Sequence, residues 1–319
     1  MSTVAAAPAS TIGKRTQTGD VIARWVAFAF AASILLLAVL LVYQLWAGSA
    51  GARHKFGWGF LTSSKWNPVT QEFGALPFLY GTVVTSFLAL LISTPLGLGA
   101  AIFLAELAPA RLSSALTFLI ELLAAIPSVI YGVLAIFTLV PLMRTTIEPF
   151  LKGYFGYLPL FKGVVFGLDY LTASLVLSVM TIPFVISVSR ESLLAVPREQ
   201  REAALALGAT RWESTWQVVV PYAKLGILGS VFLSLARALG ETMAVTMVIG
   251  NDPSIHASLL APGYTIAAII ANEFTEATGN THLSALVELG LVLFLLTMVI
   301  NALAQLLILV TTKKASAKS

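Results

Sequence analysis

Residues 73–105 read FGALPFLYGTVVTSFLALLISTPLGLGAAIFLA, 33 positions without one charged side chain. An α-helix rises ~1.5 Å per residue, so about 20 residues cross the ~30 Å hydrocarbon core of a bilayer. A soluble domain carries about 25% charged residues and has no use for such a run. Here, of 319 residues, 58% are hydrophobic and 11% charged. Five more apolar runs stand beside the first: 25–46 with a tryptophan at each end, 112–143 interrupted by Glu121, 170–189, 225–251 with Arg237 and Glu241 inside it, and 289–312. The expected fold class is an all-α polytopic membrane protein with six transmembrane helices. The first run exceeds the 7–15 residues of a signal-peptide core, so it is expected to remain as a true helix.

An even number of spans puts both termini on one side, and the distribution of Lys and Arg says which. With the N terminus inside, Lys14, Arg15, Arg24, Arg111, Arg190, Arg198, Arg201, Arg211, Lys224, Lys313, Lys314 and Lys318 are cytoplasmic. Only Arg53, Lys55, Lys65, Arg144, Lys152 and Lys162 lie outside. From Ala238 to Thr312 there is no Lys or Arg, and the last outer loop carries Asp252, Glu273, Glu276 and Glu288. Both termini are therefore expected in the cytoplasm. Residues 1–20, rich in Ala, Ser and Thr, read as a disordered cytoplasmic tail, and 21–319 as a single transmembrane domain. Outer connections near 58–77 and 145–169 should fold onto the membrane face. The stretch 266–274 is too short to span and reads as a surface or re-entrant helix.

Much chemistry is excluded. Without cysteine there is no thiolate or disulfide, and His54, His256 and His282 are too scattered for a metal site. No GxSxG, HExxH or GxxxxGK[ST] pattern occurs, so neither catalysis nor ATP binding is expected of this chain. The energy source sits on another chain or is an ion gradient. The net charge of +4 fits cationic cytoplasmic loops, and no nucleic-acid partner is expected.

The longest inner loop, 190–224, carries the most information. Pro197 suits a helix start, Glu199 and Glu202 suit its first turns, and Gly208 suits its end. Thr210-Arg211-Trp212-Glu213 is a capping box, opening a second helix with Trp212 and Trp216 on one face until Pro221 breaks it. Two short helices around a glycine make a knob fit to dock in a groove on another protein.

Glu202-Ala203-Ala204, three residues, Gly208, nine residues, then Val218-Val219-Val220-Pro221 resembles the EAA loop of ABC importer permeases, with Val at two positions where the family pattern has Ile and Leu. Three further segments narrow the resemblance: Phe73-Gly74-Ala75-Leu76-Pro77 with Tyr80-Gly81-Thr82; Ala124-Ala125-Ile126-Pro127-Ser128 continuing to Gly132; and Arg237-Ala238-Leu239-Gly240-Glu241-Thr242-Met243-Ala244. Over roughly residues 20–312 the chain is similar to permeases of the phosphate-specific Pst system, closest to the larger PstC-type subunit. The resemblance implies an ABC importer (MetI-like, type I) permease fold with its core over 73–312. It implies a bacterial inner-membrane location, a second homologous permease as heterodimer partner, two cytoplasmic ATPase subunits that carry the ATP and Mg, and an extracytoplasmic phosphate-binding protein. By the same resemblance Glu202, Ala203, Ala204, Gly208 and Pro221 couple to the ATPase.

Charges inside a span usually face a bundle interior or a water path. Arg237 and Glu241, one turn apart in the expected fifth span, are therefore candidates for the translocation path, with Thr242 beside them and Glu121 as a second partner. Arg237 alternating between Glu241 and an oxyanion is one reading, and a permanent ion pair that fixes helix packing is the other. Pro95, Pro127 and Pro183 should kink their spans, and Gly97 and Gly99 should allow close packing. A gradient-driven carrier or channel is the competing class, and sulfate or molybdate the competing cargo.

Overall fold

The structure, a computed structural model, describes residues 13–316. Residues 1–12 of the expected disordered tail lie outside the described residues, and from Gly13 the chain is already helical. Six helices are long and apolar enough to cross a membrane. The first, α1 (Gly13–Gly48), belongs to a compact unit of its own that ends at Gly48. Its apolar side chains, Phe28 and Leu36 among them, are exposed along its length, the surface a lipid-facing helix presents.

The second unit starts at Ser49. Short helices α2 (Ala50–Phe56) and α3 (Gly59–Thr62) lead to a two-residue antiparallel hairpin, Trp66–Asn67 (β1) against Glu72–Phe73 (β2). Then α4 (Leu76–Leu107) spans, followed by α5 (Ala110–Ala125), the spanning α6 (Ser128–Phe155) and the spanning α7 (Tyr170–Leu194). The compact α8 (Arg198–Ala206) precedes the long α9 (Arg211–Leu239), after which come α10 (Met243–Val248), α11 (Ile266–Glu273) and the spanning α12 (Asn280–Ser316).

Helices α4 and α7 form the main packing pair, and α9 lies against α7. Glycines set how closely they approach. A Cβ on Gly97 of α4 would sit 2.7 Å from Val185 of α7, and one on Gly226 of α9 would sit 2.1 Å from the Ser192 hydroxyl of α7. Small residues let backbones meet where lipid provides no hydrophobic drive between helices. Buried polar side chains tie α7 to α9 as well: the Ser189 and Ser230 hydroxyls are 2.8 Å apart, a hydrogen bond between the two helices. Asp169 caps α7 by accepting from the Thr172 N–H at 2.8 Å.

Three apolar clusters stack along the bundle. One, at the end formed by the hairpin and α11, gathers Phe60, Phe73, Phe78, Ile266, Ile269 and Leu286. Glu273 is clamped there by the Trp66 indole at 3.0 Å and His282 at 2.8 Å. The middle cluster centres on Tyr170, Leu177, Met180 and Val248. The third, at the opposite end, holds Ile102, Leu104, Leu193, Val196 and Val219.

Several expected boundaries move. The third span is Ser128–Phe155 instead of 112–143, because Pro127 ends a helix where a kink was expected. Ile126 and Pro127 are both extended, and a residue before proline is driven out of the helical region. Glu121 therefore sits on the separate 16-residue α5 and not in a spanning helix. The last helix starts at Asn280, so Glu288, read as part of an outer loop, is buried inside α12. The short helix expected at 266–274 forms as α11, with its first turn fully buried.

Candidate functional site

The loop knob forms much as its residues dictate. Helix α8 runs from Arg198, and Gly208 takes φ +89°, a left-handed conformation that a side chain would strain. The capping box closes at both contacts. The Thr210 hydroxyl accepts from the Glu213 N–H at 3.3 Å, and the Glu213 carboxylate accepts from the Thr210 N–H at 2.8 Å. Glu202 and Ala203 are exposed, while Ala204 turns inward and is buried. Trp212 and Trp216 meet edge to face with centroids 5.5 Å apart, yet remain 54% and 44% exposed, and Leu207 beside the glycine is 90% exposed. So large an apolar surface on a polar loop is what a partner's groove covers.

Pro221 does not break the second helix. Arg211–Leu239 is one continuous helix, widened to a π-turn over Thr215–Val219. The wide turn makes room for the proline ring and its missing N–H, which in a regular α-turn would crowd the preceding turn and leave a carbonyl unpaired. The knob's aromatic face and the fifth span are thus one rod.

A clamp invisible in the sequence holds α8 in place. Arg201 reaches back to Glu106 in the last turn of α4, with Nη2 to Oε1 at 2.8 Å and Nε to Oε2 at 3.2 Å. The same guanidinium donates to the carbonyls of Leu193, at 2.7 Å, and Val196 at the end of α7. One side chain joins three elements in the bidentate geometry that suits Arg and not Lys.

The translocation candidates sit differently than expected. Helix α9 ends at Leu239, so Arg237 occupies its last turn, where a cation suits the helix dipole. Glu241 lies past that end, and its carboxylate accepts from the Ala244 N–H of α10 at 3.3 Å. Among the described residues no ion pair joins Arg237 to Glu241 or to Glu121. Arg237 is exposed and its guanidinium rests 4.2 Å from the ring centre of Phe184, a cation–π contact. The Thr242 hydroxyl donates to the Gly240 carbonyl at 3.2 Å.

Two helix interruptions meet beside this arginine. The start of α6, just after Pro127, packs on α10, just after Gly240–Thr242. The approach is close, since a Cβ on Gly132 would sit 3.0 Å from the Ala244 Cα. Non-helical backbone at membrane depth is tolerated where it is buried in protein or lines a water-filled cavity. Glu121 instead lines a cavity with Arg190 near the end of α7.

With this geometry in hand, comparison with known proteins is specific. Residues 93–313 match the family of binding-protein-dependent transport system inner membrane components. The phosphate transport system permease protein PstC of Mesorhizobium japonicum is 48% identical over 88% of this chain and 87% of its own. The PstC of Pasteurella multocida is 47% identical over 91% of each chain, and a probable PstC of Methanocaldococcus jannaschii 36% identical over 84% and 87%. Among solved structures, a bacterial alginate ABC transporter in complex with its alginate pentasaccharide-bound periplasmic protein aligns with a TM-score of 0.59 at 15% identity, covering 90% of this chain and 94% of that one. The inward-facing methionine transporter MetNI aligns with 0.55 at 17% identity, covering 72% and 93%. Both share the fold. A multi-pass chain with six spanning helices and this sequence kinship is a transport component and not an enzyme, and it belongs to the binding-protein-dependent inner-membrane permeases of ABC importers, among the PstC-type phosphate transport system permeases.

Proposed function

We propose that the chain is the permease subunit through which an ATP-driven importer moves inorganic phosphate into a bacterial cell. Identity near 48% along almost the whole length of phosphate permeases carries this reading. Both termini and the knob face the cytoplasm, in keeping with the excess of Lys and Arg in the inner segments. Of two ATPase subunits that hold ATP and Mg, one receives the knob around Glu202, Ala203, Ala204 and Gly208, with Pro221 seated above the π-turn. A second, homologous permease completes the path, and an extracytoplasmic phosphate-binding protein delivers the cargo.

Within the path, Arg237 meets the phosphate oxyanion. Its guanidinium stays charged at any physiological pH, offers paired donors, and is held by a ring face. Glu241 and Thr242, in the break that follows, complete the polar lining. Alternation between Glu241 and phosphate then requires Glu241 to leave the α10 N terminus, a small movement at an existing break.

The test is uptake of radiolabelled phosphate in cells whose own permease gene is replaced by this one, with excess sulfate or molybdate as competitors. Uptake should resist both competitors and collapse in Arg237→Gln, with the variant still assembled. Undiminished uptake by that variant overturns the role of Arg237, and competition by sulfate overturns the cargo.

A further inference from the structure

A cavity of about 600 Å3 opens between α5, the end of α4 and the last turns of α7. Topology fixes its depth. Helix α4 ends at Leu107 and α7 at Leu194, and one span, α6, separates them, so both ends reach the same face of the membrane. The cavity therefore lies where hydrocarbon gives way to lipid head groups.

Its walls carry two opposite charges that do not neutralise each other. Arg190 enters from α7 and Glu121 from α5. Among the described residues no ion pair joins them. The contact of Arg190 with a carboxylate is Nη1 to Glu191 at 3.1 Å, and the Glu191 side chain is 73% exposed, so that pair holds the guanidinium weakly. Its Nε–H is buried and, among the described residues, makes no hydrogen bond, so within the protein the guanidinium is left under-paired. The hydroxyls of Ser113 and Thr117 already donate to the carbonyls of Leu104 and Ser113 at 2.8 and 2.7 Å, leaving lone pairs to offer a ligand. Leu104, Phe118 and Leu194 make the rest of the wall apolar.

A lone anion would meet Glu121 and those lone pairs, and a lone cation would meet Arg190. A zwitterion fits both, its phosphate on Arg190 and its ammonium on Glu121, with apolar chains running out along Leu104 and Phe118. We infer that this cavity binds the head group of an ethanolamine-type phospholipid. A primary ammonium brings three N–H donors for the carboxylate and hydroxyl lone pairs, a trimethylated one brings none, and a glycerol head brings no cation. The site is separate from Arg237 and does not depend on the cargo.

The test uses the full-length chain, delipidated in detergent and titrated with phosphatidylethanolamine, phosphatidylcholine or phosphatidylglycerol under native mass spectrometry. Wild type should retain phosphatidylethanolamine about tenfold better than either other lipid, the size of one charge-assisted hydrogen bond. Glu121→Gln should erase the preference over phosphatidylglycerol, and Arg190→Gln should weaken retention of phosphatidylethanolamine. Because Glu121 and Ser114 are exposed, Glu121→Gln and a cavity-filling Ser114→Phe both leave folding intact, with an unchanged melting temperature as the check. Retention untouched by Glu121→Gln and Ser114→Phe overturns the assignment. So does a preference for phosphatidylglycerol, and so does displacement of the lipid by millimolar inorganic phosphate, which would mark a free-anion site.

Discussion

Removing the guanidinium of Arg201 should free the docking knob from the membrane bundle while leaving the bundle itself folded. Arg201→Ala deletes the bidentate contact with Glu106 and two donations to the carbonyls of Leu193 and Val196. The Arg201 and Glu106 side chains are only 20% and 11% exposed. The pair therefore falls between exposed ion pairs, worth about 0–1 kcal/mol, and buried pairs, whose disruption costs about 3–5 kcal/mol. A loss of about 2 kcal/mol in the stability of α8 against local opening follows, equivalent to about a 30-fold larger open population. Hydrogen exchange of the protein in nanodiscs reads this directly. Amides of 198–206 should exchange about 30-fold faster, while those in the middle of α7 keep their protection. Arg201→Lys should recover only part of the loss, because a point charge cannot bridge α4 and α7 together. Unchanged protection of α8 in Arg201→Ala would refute the clamp, and equal loss throughout α7 would show that the contact holds the bundle and not the knob.

Gly208→Ala should cost about 1 kcal/mol through backbone strain alone, since φ is +89° and a Cβ there meets nothing within 4 Å; Gly208→Asn should cost less, as read by thermal unfolding in detergent. Gly226→Ala should destabilise the α7–α9 contact by about 1–3 kcal/mol, because its Cβ would press on Ser192, and a melting temperature equal to wild type would contradict it. The pair Trp212→Ala and Trp216→Ala should abolish co-purification of the ATPase with only a small loss of thermal stability, the rings being about half exposed. Asp169→Ala should cost about 1 kcal/mol as a lost cap. Burial pushes the Asp169 carboxyl up, so its contribution to stability is fullest in acid and fades as pH rises through the folded value; Asp169→Asn, which keeps an acceptor, should flatten that pH dependence.

Six spans were legible because lack of charge over 20 residues has one cheap explanation, and the knob was legible because caps and glycines act over a few residues. Helix ends inside apolar runs were harder. With no charges to punctuate 112–143, Pro127 read as a kink, although an extended Ile126 before it and Ser128 after it are ordinary boundary chemistry. The end of α9 has a signal too, in Arg237 followed by Gly240, but the apolar run continues past it to residue 251 and hides the break. Pro221 misled because nothing local announces that a π-turn will absorb it. The bridge from Glu106 to Arg201 spans 95 positions and has no sequence signature at all.

The unbroken rod from Arg211 to Leu239 has a mechanical meaning. Its 29 residues extend about 43 Å, with the exposed tryptophans at one tip and Arg237 near the other. About 37 Å of helix separates Trp212 from Arg237, so a tilt of roughly 5° about the tryptophan tip swings the guanidinium through about 3 Å. That is the length of one hydrogen bond. A lever of this reach turns a slight pivot at the knob into the making or breaking of a contact at the far end of the helix.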